Sequence, residues 1–418
     1  MIELKKMRAD PERFRASLGR KRYRPEDLDQ VLRIDAEVRR RRAEIEEMRA
    51  ARNAASKKIP KAPEAEKSAL LAEMRRLAAT LKEREPEMRE MEDELQAVLQ
   101  MIPNPPDPDV PDGAGEEDNV VLRLVGEPRL FAFEPLDHLA LGEARGWIDV
   151  KRAARTSGTR FAYLLGELVD LEMALIRFAL DVLQHERFRP VVPPILVREV
   201  AMYGTGFFPA DRNEIYKIDG EDAYLVGTSE VSLAAYHMDE ILEESVLPLR
   251  YGGFSTCLRR EAGSYGKDTR GIFRVHQFDK VEMFSFCAPE ASGAEHEAML
   301  AVEEKILRAL EIPYRVVNVC TGDLGAPAAK KYDLEAWMPG QSAYREVTSC
   351  SNCTDFQARR LGVRSRAGRD LRHVHTLNGT AVAVGRTIIA LVENHQQEDR
   401  TVRLPTALRV YLGGRETL

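Results

Sequence analysis

From Leu70 onward, apolar side chains recur at Leu70, Met74, Leu77, Leu81, Met88, Met91, Leu95, Val98 and Ile102, in steps of four and three with Arg84 in the one missing slot. That is a heptad seam. An earlier stretch has the same spacing at Val31, Ile34, Val38, Ile45, Met48 and Arg52, interrupted by Arg41. Between the two, "KKIPKAPEAEK" carries Pro60 and Pro63, which end one helix and permit a reversal. The pattern predicts an antiparallel helical hairpin. Helices of about 30 residues would extend roughly 45 Å at 1.5 Å per residue. Pro86 lies inside the second helix and predicts a bend, because the heptad continues on both sides of it.

The pattern changes after "MIPNPPDPDVPDGAGEEDN", a stretch with five prolines and few apolar residues. It sets the expected boundary between an arm, residues 1–105, and a second domain, residues 106–418. Beyond it, a helix-like segment at 165–185 mixes with strand-like ones at 273–286 and 313–320, without regular strand–helix alternation. The expected class is α+β on an antiparallel sheet. No glycine-rich phosphate loop follows a strand. Within "CLRREAGSYGKDTRGIFRVHQFDKVE" (257–282), Phe273, Val275, Gln277, Asp279 and Val281 alternate with Arg274, His276, Phe278, Lys280 and Glu282. That predicts the second strand of a hairpin, with more charge than a hairpin needs.

Composition narrows the reading further. A chain of 418 residues is long for one core, so two or three domains are expected. With 31% charged residues and no apolar run of about 18, it reads as a globular protein without a membrane span. The polar start "MIELKKMRADPERFR" does not resemble a secretory signal, and a cytoplasmic location is expected. Five cysteines suggest free thiols. Cys350 and Cys353 form a CxxC, but no second pair accompanies them and zinc is not expected, despite His373 and His375 downstream. The net charge of −6 gives no global sign of nucleic-acid binding. Locally the picture differs: Arg39, Arg40, Arg41, Arg42, Arg49, Arg52, Lys57 and Lys58 crowd the first arm helix. Such a stripe suits a solvated face, or a grip on a phosphate backbone. The seam itself also suits a dimerisation coiled coil.

Four segments offer chemistry. Thr228 and Glu230 in "VGTSE" stand two apart, which on a strand places both on one face, fit to receive an ammonium group; a helix cap is the alternative. Arg259 and Glu261 repeat that spacing, and arginine is the natural bidentate partner for phosphate. Glu346 and Ser349 in "REVTSCSNC" supply oxygen ligands of the kind hard Mg²⁺ takes. In "LNGTAVAVGRTIIALVEN" an Asn-Gly turn is expected after a strand, with Arg386 at the start of an apolar helix. Arginine, carboxylate and hydroxyl together suit a nucleotide and a small zwitterion.

With these segments in this order, the chain resembles the seryl-tRNA synthetases, class II aminoacyl-tRNA synthetases, in the bacterial type with an N-terminal coiled-coil arm. "VVPPILVREVAMYGTG" looks like class motif 1 with Pro194, the 257–282 stretch like motif 2, and "LNGTAVAVGRTIIALVEN" like motif 3; "TSE" and "SNCTDFQARR" are also similar to the family. The resemblance covers nearly the whole chain. It implies a seven-stranded, mostly antiparallel class II sheet with flanking helices, and a homodimer. It assigns Thr228 and Glu230 to the serine amino group, and Glu282 and Thr380 to its hydroxyl. It gives Arg259, Glu261, Val275, Glu346, Ser349 and Arg386 to ATP, with Arg259, Glu261 and Arg386 as catalytic groups and Glu346 and Ser349 as Mg²⁺ contacts. Arg39, Arg40, Arg42 and Arg49 would face serine tRNA. Arg187 and "TSE" stand where the family more often has glycine and "TAE".

The implied enzyme is a serine–tRNA ligase that makes seryl-adenylate from L-serine and ATP and transfers the seryl group to serine tRNA, and to selenocysteine tRNA where that exists. It would serve general protein synthesis or a dedicated pathway. Two other readings compete, a ligase that loads a carrier protein and a catalytically silent RNA-binding relative. The basic arm argues against the first. The retained Arg259, Glu261, Glu282, Glu346 and Arg386 argue against the second.

Overall fold

The computed structural model describes residues 2–262, 268 and 270–418, and the chain divides into two compact units, residues 2–103 and 104–418. In the first unit, α1 (Pro25–Lys58) and α2 (Glu64–Met101) form the expected pair, at 34 and 38 residues instead of about 30. Pro25 occupies the first turn of α1, where its missing N–H costs nothing, and Glu26 and Asp27 favour the same helix end. The ion pairs Arg42–Glu92 and Arg49–Glu85 join rising positions on α1 to falling ones on α2, which fixes the helices as antiparallel. Val31, Ile34, Val38 and Ile45 are buried, as are Leu77, Leu81, Met88 and Leu95. Near the end of α2 the buried residue is Leu99, not Val98, consistent with the drift of a 3.6-residue helix against a 3.5-residue repeat. The helix runs through Pro86 without a break.

The second unit is built on one large sheet, with smaller two- and three-stranded ones beside it. The strands of the large sheet are β1 (Val120–Val125), β2 (Arg189–Val191), β3 (Leu249–Leu258), β4 (Gln277–Cys287), β5 (Tyr314–Asn318), β6 (Lys330–Met338), β7 (Ala343–Asn352) and β8 (His375–Ala383). Their order across the sheet is β1-β5-β6-β7-β8-β4-β3-β2. Every pairing is antiparallel except β2 with β3. Among the described residues the sheet therefore has eight strands where seven were expected, with β1 pairing along the edge of β5.

Around the sheet lie α3 (His138–Arg145), α4 (Glu167–His185), α5 (Glu230–Ala234), α6 (Ser292–Ala309) and α7 (Val384–His395). Leu171 and Leu175 of α4, Ile306 and Leu307 of α6, and Ile388 and Leu391 of α7 share a core with Val281, Met283, Leu334 and Leu377. That core takes the odd-numbered residues at the centre of β4. Phe278, Lys280 and Glu282 therefore project from the other face of the strand. Among the described residues, no helix is long and apolar enough to cross a membrane.

Three local expectations need correction. The second hairpin strand begins at Gln277, not at Phe273; residues 271–276 form a turn before it. Thr228 does not share a strand with Glu230, because the strand there ends at Leu225 and Glu230 is the first residue of α5. Asn378 and Gly379 are no turn but the middle of β8, facing Phe284 and Met283 of β4. Gly379 is there for space: a Cβ would lie 2.9 Å from the Cys350 Cβ and 3.0 Å from a Glu303 carboxylate oxygen.

Candidate active site

The polar face of the sheet opens onto a cleft of about 240 Å³. Seven residues singled out from the sequence line it: Arg259, Glu261, Val275, Glu346, Ser349, Thr380 and Arg386. They arrive from different elements. Arg259 follows the end of β3, where its backbone N–H donates to the His276 carbonyl and keeps the hairpin closed. Its Nε donates to the Gly227 carbonyl at 3.0 Å, and its guanidinium lies 5.4 Å from the centre of the Phe278 ring. Glu261 does not reach the cleft by strand alternation. It adopts a left-handed backbone conformation, with φ of 49°, and accepts from Arg274 Nη1 at 2.8 Å. A left-handed glutamate costs about 1–3 kcal/mol and persists only where its surroundings enforce it.

Arg386 stands in the first turn of α7 and donates to the Glu346 carbonyl at 3.0 Å, with the Glu346 carboxylate at 3.4 Å. Its guanidinium also lies 4.8 Å from the centre of the Phe273 ring, which Arg345 approaches to 4.3 Å. Crowding by protein atoms raises the Glu346 carboxyl, but Arg386, Lys331 and Arg259 together outweigh it and hold the group below its ordinary value. The side chain remains 47% exposed, so the cations and not burial decide its charge. It is an anion at the mouth of the cleft.

The floor is a buried polar layer. Glu282 of β4 faces Thr380 of β8 across the sheet. Its Oε2 accepts from Thr228 Oγ1 at 3.2 Å and pairs with Lys280. Thr228 Oγ1 in turn accepts from the Glu230 backbone N–H at 3.2 Å, although Ser229 and not Thr228 is the N-cap residue of α5. Glu230 Oε1 accepts from Gln357 Nε2 at 2.8 Å and from Asn378 Nδ2 at 2.9 Å. Burial, then the neighbouring Glu282, pushes the Glu230 carboxyl up to about 7. Burial also raises Glu282, against the pull of Lys280. Thr228, Glu230, Glu282 and Thr380 are thus joined in one layer beneath the cleft.

Lys280, Phe273, Phe278, Gln357 and Asn378 belong to the site and were not singled out from the sequence. For Lys280 and Phe278 the signal existed: both stand on the Glu282 face by the period of two. Gln357 carries no such signal, since it arrives from the short helix Phe356–Leu361. The loop 262–271, expected to meet the nucleotide and the tRNA end, has residues 263–267 and 269 outside the described ones.

Glu346 and Ser349 suit a hard cation in the chemistry of their donors, one ionised carboxylate and one hydroxyl at the same cleft. Asp333, directly across from Ser349, adds a buried carboxylate oxygen without a hydrogen-bond partner. Among the described residues there is no cluster of three or more histidine, cysteine, aspartate or glutamate side chains arranged to hold a metal alone. All five cysteines are buried free thiols.

In the first unit, Arg39 pairs with Asp35, Arg40 with Glu37 and Glu44, Arg42 with Glu92 and Arg49 with Glu85. These arginines are about half exposed, and their charge is matched within the arm itself, by the buried Asp35 for Arg39 and by partly exposed glutamates for the other three.

Residues 1–106 match the seryl-tRNA synthetase N-terminal domain, and residues 215–395 match the core domain of class II tRNA synthetases for Gly, His, Pro, Ser and Thr. The serine–tRNA ligase of Acidothermus cellulolyticus is 53% identical over 413 residues, 99% of this chain and 98% of the relative. That of Streptomyces coelicolor is 51% identical over 100% of this chain and 99% of its own. Among solved structures, the seryl-tRNA synthetase from Pyrococcus horikoshii complexed with ATP superposes with a TM-score of 0.94 at 44% identity, covering 100% of this chain and 99% of that one. The cytoplasmic serine–tRNA ligase from Naegleria fowleri in complex with AMP gives 0.87 at 35% identity, over 98% and 95%.

Proposed function

The chain belongs to the seryl-tRNA synthetases, and on that premise we propose that ATP and L-serine meet in the cleft on the polar face of the sheet. One observation carries the assignment. Arg259 and Arg386 converge on the cleft that Glu346 and Ser349 line, directly above the buried layer of Thr228, Glu230, Glu282 and Thr380. The upper groups suit a triphosphate. The lower ones suit a small zwitterion with a hydroxyl.

The serine carboxylate attacks the α-phosphorus of ATP and pyrophosphate leaves; the terminal hydroxyl of tRNA then attacks the seryl carbonyl of the adenylate, and AMP leaves. Neither step needs a protein nucleophile. The chain's work is to hold the reacting atoms in line and to meet the charge that builds on the phosphate oxygens. Arg259, braced by the Gly227 carbonyl, is the donor for the α-phosphate. Arg386, braced by Glu346, serves the outer phosphates, and the Val275 backbone and Glu261 hold the nucleoside end. Mg²⁺, which Glu346 and Ser349 would hold, supplies further neutralisation of the phosphates when bound. Glu230 and Thr228 receive the serine ammonium group, and Glu282 and Thr380 its hydroxyl. Buried groups that must pair with that hydroxyl reject alanine by up to roughly 10⁴–10⁵-fold.

The partners follow from the family: serine tRNA on the basic side chains Arg39, Arg40, Arg42 and Arg49 of the first unit, and a second copy of the chain in a homodimer. Serine-dependent exchange of pyrophosphate into ATP, run across a panel of amino acids, tests the reading. Serine alone should support it, and Arg259→Ala should lower its kcat by about 10²–10³-fold, the range for removing one preorganised charge donor, with a much smaller change in serine binding. Exchange near the wild-type rate in that variant would remove Arg259 from the α-phosphate.

A further inference from the structure

Outside the residues assigned to substrates, the described molecule holds one buried imidazole–carboxylate pair that touches the wall of the cleft. His138, the first residue of α3, and Glu393, in the last turn of α7, are both buried. His138 Nδ1 lies 2.9 Å from Glu393 Oε1, which also accepts from the His138 backbone N–H at 2.9 Å, while Glu393 Oε2 accepts from the Gly340 N–H at 2.9 Å. The other ring nitrogen is engaged too. His138 Nε2 accepts from the backbone N–H of Ile272 at 3.2 Å.

These bonds fix the tautomer. A ring that accepts at Nε2 carries its proton on Nδ1 and donates it to the carboxylate. The imidazole therefore transmits position, from the fixed end of α7 to the turn that leads into β4. Gly271 shows how close the approach is: its φ is +80°, and a Cβ there would lie 2.0 Å from His138 Nε2. A second tie stands beside the first, since Arg270 pairs with Asp137 at 3.2 Å and Asp137 caps α3 through the Ala140 N–H at 2.8 Å. Immediately after this anchored point come Ile272 and Phe273, both walls of the cleft. The Phe273 ring centre stands 4.8 Å from the centre of the Arg386 guanidinium, and Arg386 lies in the first turn of the helix whose last turn holds Glu393.

We infer that His138, oriented by Glu393, is a positioning residue for nucleotide binding: it locks the turn at Gly271–Phe273 to α7, so that Phe273 and Arg386 keep their spacing across the cleft. The inference rests on the reading of that cleft as the ATP site. His138 touches no substrate atom and acts through Ile272.

Two substitutions separate this role from simple burial. In H138N the amide replaces Nδ1 and reaches Glu393 but not Ile272; in H138Q the amide oxygen falls near Nε2 and accepts from Ile272. Serine-dependent pyrophosphate exchange by the full-length protein should show the KM for ATP raised about tenfold in H138N, on the scale of one missing hydrogen bond. The KM for serine should stay within about twofold. H138Q should return the KM for ATP to within about threefold of wild type. If H138N does not fold, E393Q replaces it: without the carboxylate the ring proton is no longer held on Nδ1 and Nε2 accepts less well from Ile272, whereas H138Q has no tautomer to hold and keeps the backbone N–H to Glu393. E393Q should therefore raise the KM for ATP with serine again unmoved. An unchanged KM for ATP in the folded variant, equal rises for ATP and serine, or equal effects of H138N and H138Q would overturn the inference while leaving the site reading in place. Failure of the wild-type protein to exchange would overturn the site reading, and the inference with it.

Discussion

Glu230 is the residue on which pH should act most directly. Its carboxyl is buried beside Glu282, accepts from Gln357 and Asn378, and is pushed up to about 7 from an ordinary value of 4.5. A carboxyl raised on folding contributes stability that is fully present below about 4.5 and lost as pH rises through about 7, because the unfolded chain gives up its proton first. The total is on the order of 3 kcal/mol. A serine ammonium group placed at Glu230 reverses the preference, since it favours the ionised form. Serine binding should therefore release a proton below pH 7, and the KM for serine should fall between about pH 6 and pH 8. Glu230→Gln should raise that KM, flatten its pH dependence, and flatten the decline of melting temperature between about pH 4.5 and pH 7. Calorimetry in buffers of different ionisation enthalpy would count the proton; a wild-type KM for serine that is level across this range contradicts the assignment.

At the scale of elements, β8 is the strand whose internal fit the site depends on most. Asn378 and Thr380 face the cleft side, and Gly379 between them faces Cys350 and Glu303 on the other. Gly379→Ala would push the strand from β7 by overpacking, at a cost of about 1–3 kcal/mol. Thermal unfolding should move down accordingly, and the KM for serine should rise more than that for ATP, because Asn378 and Thr380 move first. Equal changes in both would place the strain elsewhere. The same glycine shows why part of this fold was hard to read from the chain. An Asn-Gly pair has the local chemistry of a turn, and only the neighbouring strand and α6 demand a glycine in mid-strand. The arm was legible because its seam repeats locally over many turns, and the α+β class because long segments kept one period. Thr228 and Glu230 were found by type but placed on the wrong element, since five residues of α5 are too few to show a helical period. Lys280 and Phe278 were within reach of the alternation that exposed Glu282. Gln357 and His138 were not, because each acts through a partner more than a hundred residues away.

For the whole molecule, the first unit poses a question of charge. Its arginines were expected to offer a basic stripe, and each of the four proposed to meet tRNA already holds a glutamate or aspartate. Asp35, the partner of Arg39, is buried and also held by Arg8, but the pairs of Arg40, Arg42 and Arg49 are exposed and worth about 0–1 kcal/mol each, so a phosphate can take those guanidinium groups from their carboxylates at small cost. The pairs would then hold the arginines extended along the helix until a polyanion arrives. Two opposed changes test this in the full-length chain. Replacing Arg39, Arg40, Arg42 and Arg49 with alanine should raise the KM for serine tRNA in charging and make binding less sensitive to salt, by roughly 0.7–0.9 in log–log slope for each phosphate that is no longer neutralised. Replacing Glu85 and Glu92 with glutamine frees Arg49 and Arg42, and should strengthen tRNA binding at low salt. Pyrophosphate exchange needs no tRNA and should be unchanged in both. A seam that serves only to join two copies of the chain would respond differently: neither set of changes touches the buried Val31–Ile45 and Leu77–Leu95 positions, so tRNA charging would be indifferent to both.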